Sequence, residues 1–235
     1  MPNKFKYRSD QKEMLDGFDI PQELLVKNLK ELDFLNQSLG GHAISLRGLK
    51  KLVTDKEKTY KIADLGCGSG DTLKFIAKWA RANGYKLELT GVDMNINAIE
   101  YFNAHCSGYP EITGVAADYK EFLKNSENID IVLCSLFCHH LNDNELLDLL
   151  TWVRSHAAIG IVISDLQRHW LAYYGAKAFT YVLKGSVLAK NDGPISVLRG
   201  FKRTELDTLF QKAGIVKYSI TLEWAFRYLV VGQKL

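Results

Sequence analysis

At 235 residues, with 47% apolar residues and a formal net charge of +3, the chain can bury the core of one larger α/β domain, and its charge is too small and too scattered to suggest a nucleic-acid surface. No apolar run approaches the roughly 18 residues of a membrane span, and the first residues lack the apolar core of a signal peptide. Four cysteines, at 67, 106, 134 and 138, form no C-x-x-C pair, so reduced thiols and a cytoplasmic setting are expected.

Residues 1–20 are charged and irregular and read as a mobile lead-in. Pro21 opens a helical pattern with Leu25, Leu29, Leu32 and Leu39 at helical spacing, and Gly40-Gly41 stops it. A second amphipathic segment covers 42–53. It runs into the basic stretch 47–61, which reads as a solvated helix end and loop. Residues 1–58 are therefore a mostly helical extension ahead of the main domain, 59–235, and could serve to cover an exposed sheet face.

From residue 60 the pattern alternates. Strands are expected at 60–65, 86–92, 112–116, 129–135 and 160–165, with helices at 72–82, 96–104, 119–124 and 144–156. Such alternation means parallel strands with right-handed crossovers, hence a doubly wound Rossmann-like sheet with helices on both faces. Ligand chemistry then belongs at the strand C-terminal ends. Residues 166–200 form an aromatic-rich insertion, apolar on most sides and expected to be buried against more than one surface. An acceptor-pocket wall, a homodimer contact and an ordinary core helix all fit it. Within it, 191–194 (Asn-Asp-Gly-Pro) reads as a turn. Thr204 is the expected N-cap of a helix over 205–213, closed by Gly214. Strands at 216–222 and 225–231, separated only by Glu223-Trp224, must form an antiparallel hairpin.

The most informative stretch is Asp64-Leu65-Gly66-Cys67-Gly68-Ser69-Gly70-Asp71, a strand end, a glycine turn and a helix start. Glycines there let a ligand approach the main chain closely, and the helix N-terminus adds free N–H groups. A dinucleotide fingerprint would need its third glycine one residue later, where Asp71 stands, and no lysine is placed for a P-loop. Acids end the first three strands or follow them, at Asp64, Asp93 and Asp118, with Asp93 lying 23 residues after Gly70. Carboxylates around one glycine turn repel a pyrophosphate and favour a cationic, adenosine-bearing ligand.

The D-x-G-x-G-x-G turn resembles motif I of the class I S-adenosylmethionine-dependent methyltransferases, and the closing hairpin matches their sheet of seven strands. The resemblance implies a cofactor seat of Asp64, Gly66, Cys67, Gly68 and Gly70, with S-adenosylhomocysteine as product. It implies that Asp93 takes the ribose hydroxyls, that Met94 packs on the adenine, and that Asp118 beside Tyr119 reaches the adenine amino group. Helix N-capping is the alternative for both Asp93 and Asp118. The segment Cys134-Ser135-Leu136-Phe137-Cys138-His139-His140 resembles the post-strand segment of the ubiquinone/menaquinone-type small-molecule methyltransferases. There Ser135 and Leu136 would line the sulfonium and a histidine would face the acceptor. In the same family the N-terminal extension would form a lid.

For His139 and His140, a structural or substrate-lining role, a general base, and a metal site with Cys134 and Cys138 are three readings; the last has no usual zinc spacing, and no metal is expected. His169, Arg168 and Arg199 sit where they could hold an acidic or phenolic group. The motif for amino-adenine methylation and the Pro-Cys nucleophile for cytosine are both absent. The expectation is therefore methyl transfer to a small molecule, at a phenol, quinol or carboxylate oxygen first and carbon second. An NAD(P)-dependent oxidoreductase and a non-catalytic binding module are the rivals.

Overall fold

A computed structural model describes residues 3–17, 20–182 and 185–234. Seven strands form one sheet: β1 (Thr59–Leu65), β2 (Lys86–Asp93), β3 (Ile112–Ala116), β4 (Ile131–Ser135), β5 (Gly160–Leu166), β6 (Lys217–Glu223) and β7 (Arg227–Gln233). Their order is β3-β2-β1-β4-β5-β7-β6. All pairs are parallel except the two made by β7, which runs antiparallel to both β5 and β6. The chain leaves β1 toward β2 on one side and reaches β4 on the other, so a crevice opens above the C-terminal ends of β1 and β4.

Side chains alternate across this sheet, as a two-residue period requires. In β4, Val132 and Cys134 enter one core with Leu146, Leu150 and Phe210, while Ile131 and Leu133 enter the other with Leu73, Ile76 and Phe102. Both faces are buried, so the central strands read as continuous apolar runs. The helices are α1 (Gln22–Ser38), α2 (Gly41–Leu49), α3 (Asp71–Asn83), α4 (Ile96–His105), α5 (Tyr119–Asn125), α6 (Asp143–His156), α7 (Trp170–Val182), α8 (Val187–Arg199) and α9 (Arg203–Lys212). Asn95 caps α4 by accepting from the Asn97 and Ala98 N–H groups, and Asn142 with Glu145 forms a capping box on α6. A Cβ on Gly48 would stand 2.5 Å from Val162 and 2.8 Å from Leu229, so this glycine lets α2 lie directly on the sheet.

Several expectations change. The lead-in is packed rather than loose: Phe5 is buried, and Arg168 donates to its carbonyl. The Asn-Asp-Gly-Pro segment lies inside α8, because Ser186 caps that helix and the buried Asp192 carboxylate accepts from the Met14 and Leu15 N–H groups. Tertiary partners there override the local turn preference. α9 starts two residues earlier than read, capped at Lys202, whose N–H donates to the Glu205 carboxylate. The hairpin connection is Trp224-Ala225-Phe226, with positive φ at Ala225 (45°) and Phe226 (57°). α7 is not buried on several sides. It packs chiefly on α8 and leaves Trp170 41% and Tyr181 77% exposed. No helix among the described residues is long and apolar enough to cross a membrane.

Candidate active site

Above the crevice lies a cavity of about 580 Å3, roofed by α1, α7, α8 and the turn Met14–Asp16. Its floor is the glycine turn. Gly66, Gly68 and Gly70 have φ of 70°, 51° and 79°, a left-handed region that other residues enter at a cost of about 1–2 kcal/mol. The N–H groups of Gly66 and Cys67 both donate to the Val92 carbonyl, tying the turn to the end of β2. A Cβ on Gly66 would collide with the Phe137 ring, and one on Gly70 would press into Phe102 at 2.6 Å. Gly66, Cys67 and Gly68 line the cavity; Gly70 does not, and instead forms the N-cap of α3. Leu136, at the end of β4, also has a positive φ of 55°, a strained conformation for a branched side chain in a loop against the cavity.

Two acids face this turn. Asp64 is 2% exposed, and its Oδ1 has no hydrogen-bond partner. Burial, and then the neighbouring Asp93, push its carboxyl well above the usual range. Asp93 Oδ2 accepts from the Gly68 N–H at 3.1 Å and Oδ1 from the Asn95 N–H at 2.9 Å. Burial raises its pKa despite those two bonds. Asp93 is therefore not the cap of α4, whereas Asp118 does cap α5, accepting from the Lys120 N–H at 2.8 Å. Met94 and Asp118 stand exposed at the rim, and Tyr119 presents a buried, unpartnered hydroxyl. Ser135 lines the wall beside Leu136. An orphaned carboxylate oxygen beside a bare glycine turn fits the ammonium and adenosyl parts of S-adenosylmethionine and opposes a pyrophosphate.

The opposite end is polar. His139, 4% exposed, has Nδ1 2.7 Å from Asp165 Oδ1, and its backbone N–H donates to Asp165 Oδ2. A carboxylate at that distance places the ring proton on Nδ1 and leaves the Nε2 lone pair free. Burial works against ionisation of Asp165, but the His139 ring and the N–H groups of Leu166 and His139 outweigh it and hold the carboxyl below its usual range. His140 repeats the pattern, with Nδ1 2.7 Å from Asp16 Oδ1. Glu13, 6% exposed, completes the cluster 3.6 Å from His139 Nε2 and 4.0 Å from His140 Nε2. Burial pushes Glu13 up to about 7, against the pull of His140 and Arg199.

Arg199 holds this end together. It donates to the carbonyls of His139 and His140 and to Asp16 Oδ2 at 2.6 Å. Arg8 reaches the Leu141 carbonyl beside it. Arg199 is thus occupied in shaping the histidine turn, and the buried Arg168 is spent on the partly exposed Glu205; neither is free to hold an acceptor. His169 is also displaced from its expected role. It does not line the cavity, but accepts from the Leu171 N–H and stacks on Phe226. Cys134 and Cys138 turn into the core, away from His139. Sequence reasoning missed Glu13 and Asp16, which no motif marks, and Arg227, whose buried Nη1 has no partner at the cavity wall.

Residues 62–160 match the family described as "Methyltransferase domain". Among solved structures, the plantazolicin methyltransferase BpumL in complex with SAH is 19% identical, covering 86% of this chain and 81% of its own, with a TM-score of 0.62. A proposed O-methyltransferase from Nostoc punctiforme PCC 73102 is 16% identical over 98% of this chain and 70% of its own, TM-score 0.58. The pyocyanin biosynthetic protein PhzM is 18% identical over 82% and 55%, TM-score 0.56. These likenesses show a shared fold. Across its central strands, from β1 to the start of β5 and within this seven-stranded sheet, the chain carries a methyltransferase domain.

Proposed function

We propose that the chain methylates an oxygen of a small, flat or lipid-like acceptor, with His139 taking the acceptor's proton. The observation that carries this reading is the buried Asp165–His139 pair, whose free Nε2 is directed toward the cluster at the acceptor end of the cavity. Asp64 and the turn from Gly66 to Gly68 hold the methionine end of the cofactor, and Asp93 and Met94 take its ribose and adenine. Asp118 and Tyr119 stand at the adenine edge, and Ser135 and Leu136 flank the reacting centre. Bound there, S-adenosylmethionine supplies an already electrophilic methyl group. The protein's own residues then position the acceptor, exclude water and remove one proton. Phe179, Leu171, Trp224 and Phe226 give the acceptor side its apolar, aromatic walls. The relative described as an O-methyltransferase is in keeping with an oxygen acceptor.

Residues 1–58 act in this reading as a lid, since the Met14–Asp16 turn and α1 contribute to the roof. The four free cysteines support a cytoplasmic setting. The exposed Trp170, Tyr174 and Tyr181 of α7 offer apolar area for a homodimer contact, which sedimentation of the purified protein would test. For the function, S-adenosylhomocysteine release is measured over a panel of phenols, quinols, carboxylates and carbon acids. Turnover with hydroxyl acceptors that is lost in His139→Ala, with S-adenosylmethionine binding kept, supports the proposal. Turnover unchanged in that variant, or binding of NAD(H) in place of S-adenosylmethionine, overturns it.

A further inference from the structure

Glu13, His139 and His140 come from two stretches far apart in sequence, yet one ligand atom from each lies within 4.8 Å of the other two. Both histidines have Nδ1 against a carboxylate, Asp165 for His139 and Asp16 for His140, each at 2.7 Å. Both Nε2 atoms therefore carry lone pairs and converge on Glu13. The gaps of 3.6 Å and 4.0 Å are too long for hydrogen bonds. They are close to the separation of about 3.3 Å between donors that share a tetrahedral cation with bonds of about 2.0 Å. Glu13 Oε1 is buried and has no hydrogen-bond partner.

Charge points the same way. Three carboxylates, Glu13, Asp16 and Asp165, surround this end, and Arg199 is the arginine paired with Asp16 and near Glu13. Two positive charges would balance the group. Metal-bound histidines characteristically donate their other ring N–H to a carboxylate, which fixes the tautomer and raises donor strength. Two such pairs and one carboxylate match the donor set of an open zinc-type site, three protein ligands with the remaining position free.

We propose that Glu13, His139 and His140 form a binding site for a divalent transition-metal ion of the zinc type, opening into the acceptor end of the cavity. The base role of His139 then belongs to the metal-free protein, since in the loaded protein its Nε2 is a donor to the cation. An acceptor hydroxyl at the open position would be acidified by the cation's charge instead. The binding itself does not rest on the methyl-transfer reading; only its use on the acceptor does.

The test uses the full-length protein, stripped with chelator and titrated with Co2+ while visible d–d absorption is followed. One equivalent should bind with micromolar or tighter affinity, with intense tetrahedral bands that Zn2+ abolishes. His140→Ala and Glu13→Gln should each weaken binding by at least about 100-fold, and Asp16→Asn by about 10- to 100-fold. S-adenosylhomocysteine binding by each variant reports that it is folded, and stands independent of the metal result. Absence of Co2+ binding to the wild-type protein overturns the site, as does equal affinity in folded His140→Ala and Glu13→Gln.

Discussion

Replacing Asp64 by Asn separates what this residue does for the fold from what it does for the ligand. The side chain keeps its shape and loses its charge. In the ligand-free protein that charge is a liability, because Oδ1 is buried without a partner and Asp93 stands nearby. The folded-state pKa lies above the unfolded value of about 3.9, so the native state binds more protons than the unfolded chain, and stability falls as pH rises from the ordinary carboxylate range. Asn removes that titration. Asn leaves a polar group at this position but removes the buried charge, which is worth on the order of 1–3 kcal/mol. For a chain of this size each kcal/mol moves Tm by roughly 2–4 °C. The variant should therefore melt several degrees above wild type at pH 8, with the gap narrowing toward pH 5. Binding should move the other way. A charge-assisted hydrogen bond to the cofactor's ammonium is worth about 1.5–3 kcal/mol, so Kd for S-adenosylmethionine should rise about 10- to 150-fold. Scanning fluorimetry across pH and calorimetric titration read the two effects separately. A variant less stable than wild type at pH 8 and unchanged in affinity would refute the reasoning.

The same carboxyl predicts proton release when the cationic ligand binds: calorimetry in buffers of different ionisation enthalpy should detect it in wild type, with affinity rising with pH, and not in Asp64→Asn. His139→Ala should lower turnover by about 10^2- to 10^4-fold while leaving cofactor affinity within a few-fold, and Asp165→Asn should retain part of the activity, as read by steady-state kinetics. Gly66→Ala forces a left-handed φ costing about 1–2 kcal/mol and displaces the Phe137 ring, so both Tm and cofactor affinity should fall. Arg168→Ala removes a buried guanidinium that pairs with the part-exposed Glu205 and donates to the Phe5 and Gly200 carbonyls, and should cost about 1–3 kcal/mol in denaturant unfolding, with cofactor affinity of the folded protein unchanged; a stable variant impaired only in acceptor KM would restore Arg168 to the acceptor site.

Short-range signals determined much of this protein. Strands β1 to β5 carry their apolar runs and turn residues locally, and the brevity of the link between β6 and β7 leaves only a hairpin. The left-handed glycines at 66, 68 and 70 mark a turn whose backbone few other residues tolerate, and Asp64 and Asp93 stand beside it because they end adjacent paired strands. The polar end of the cavity was decided by tertiary structure alone. Asp16 meets His140 from 124 positions away, and Arg199 meets Asp16 from 183, with no motif linking them. Burial made Arg168 a structural partner, α8 drew an apparent turn into a helix, and the want of a second covering layer left α7 exposed. Periodicity and turn chemistry act over a few residues, so a sequence carries them openly. Desolvation and ionic partnership depend on which distant groups arrive at one place, and only the folded chain sets that.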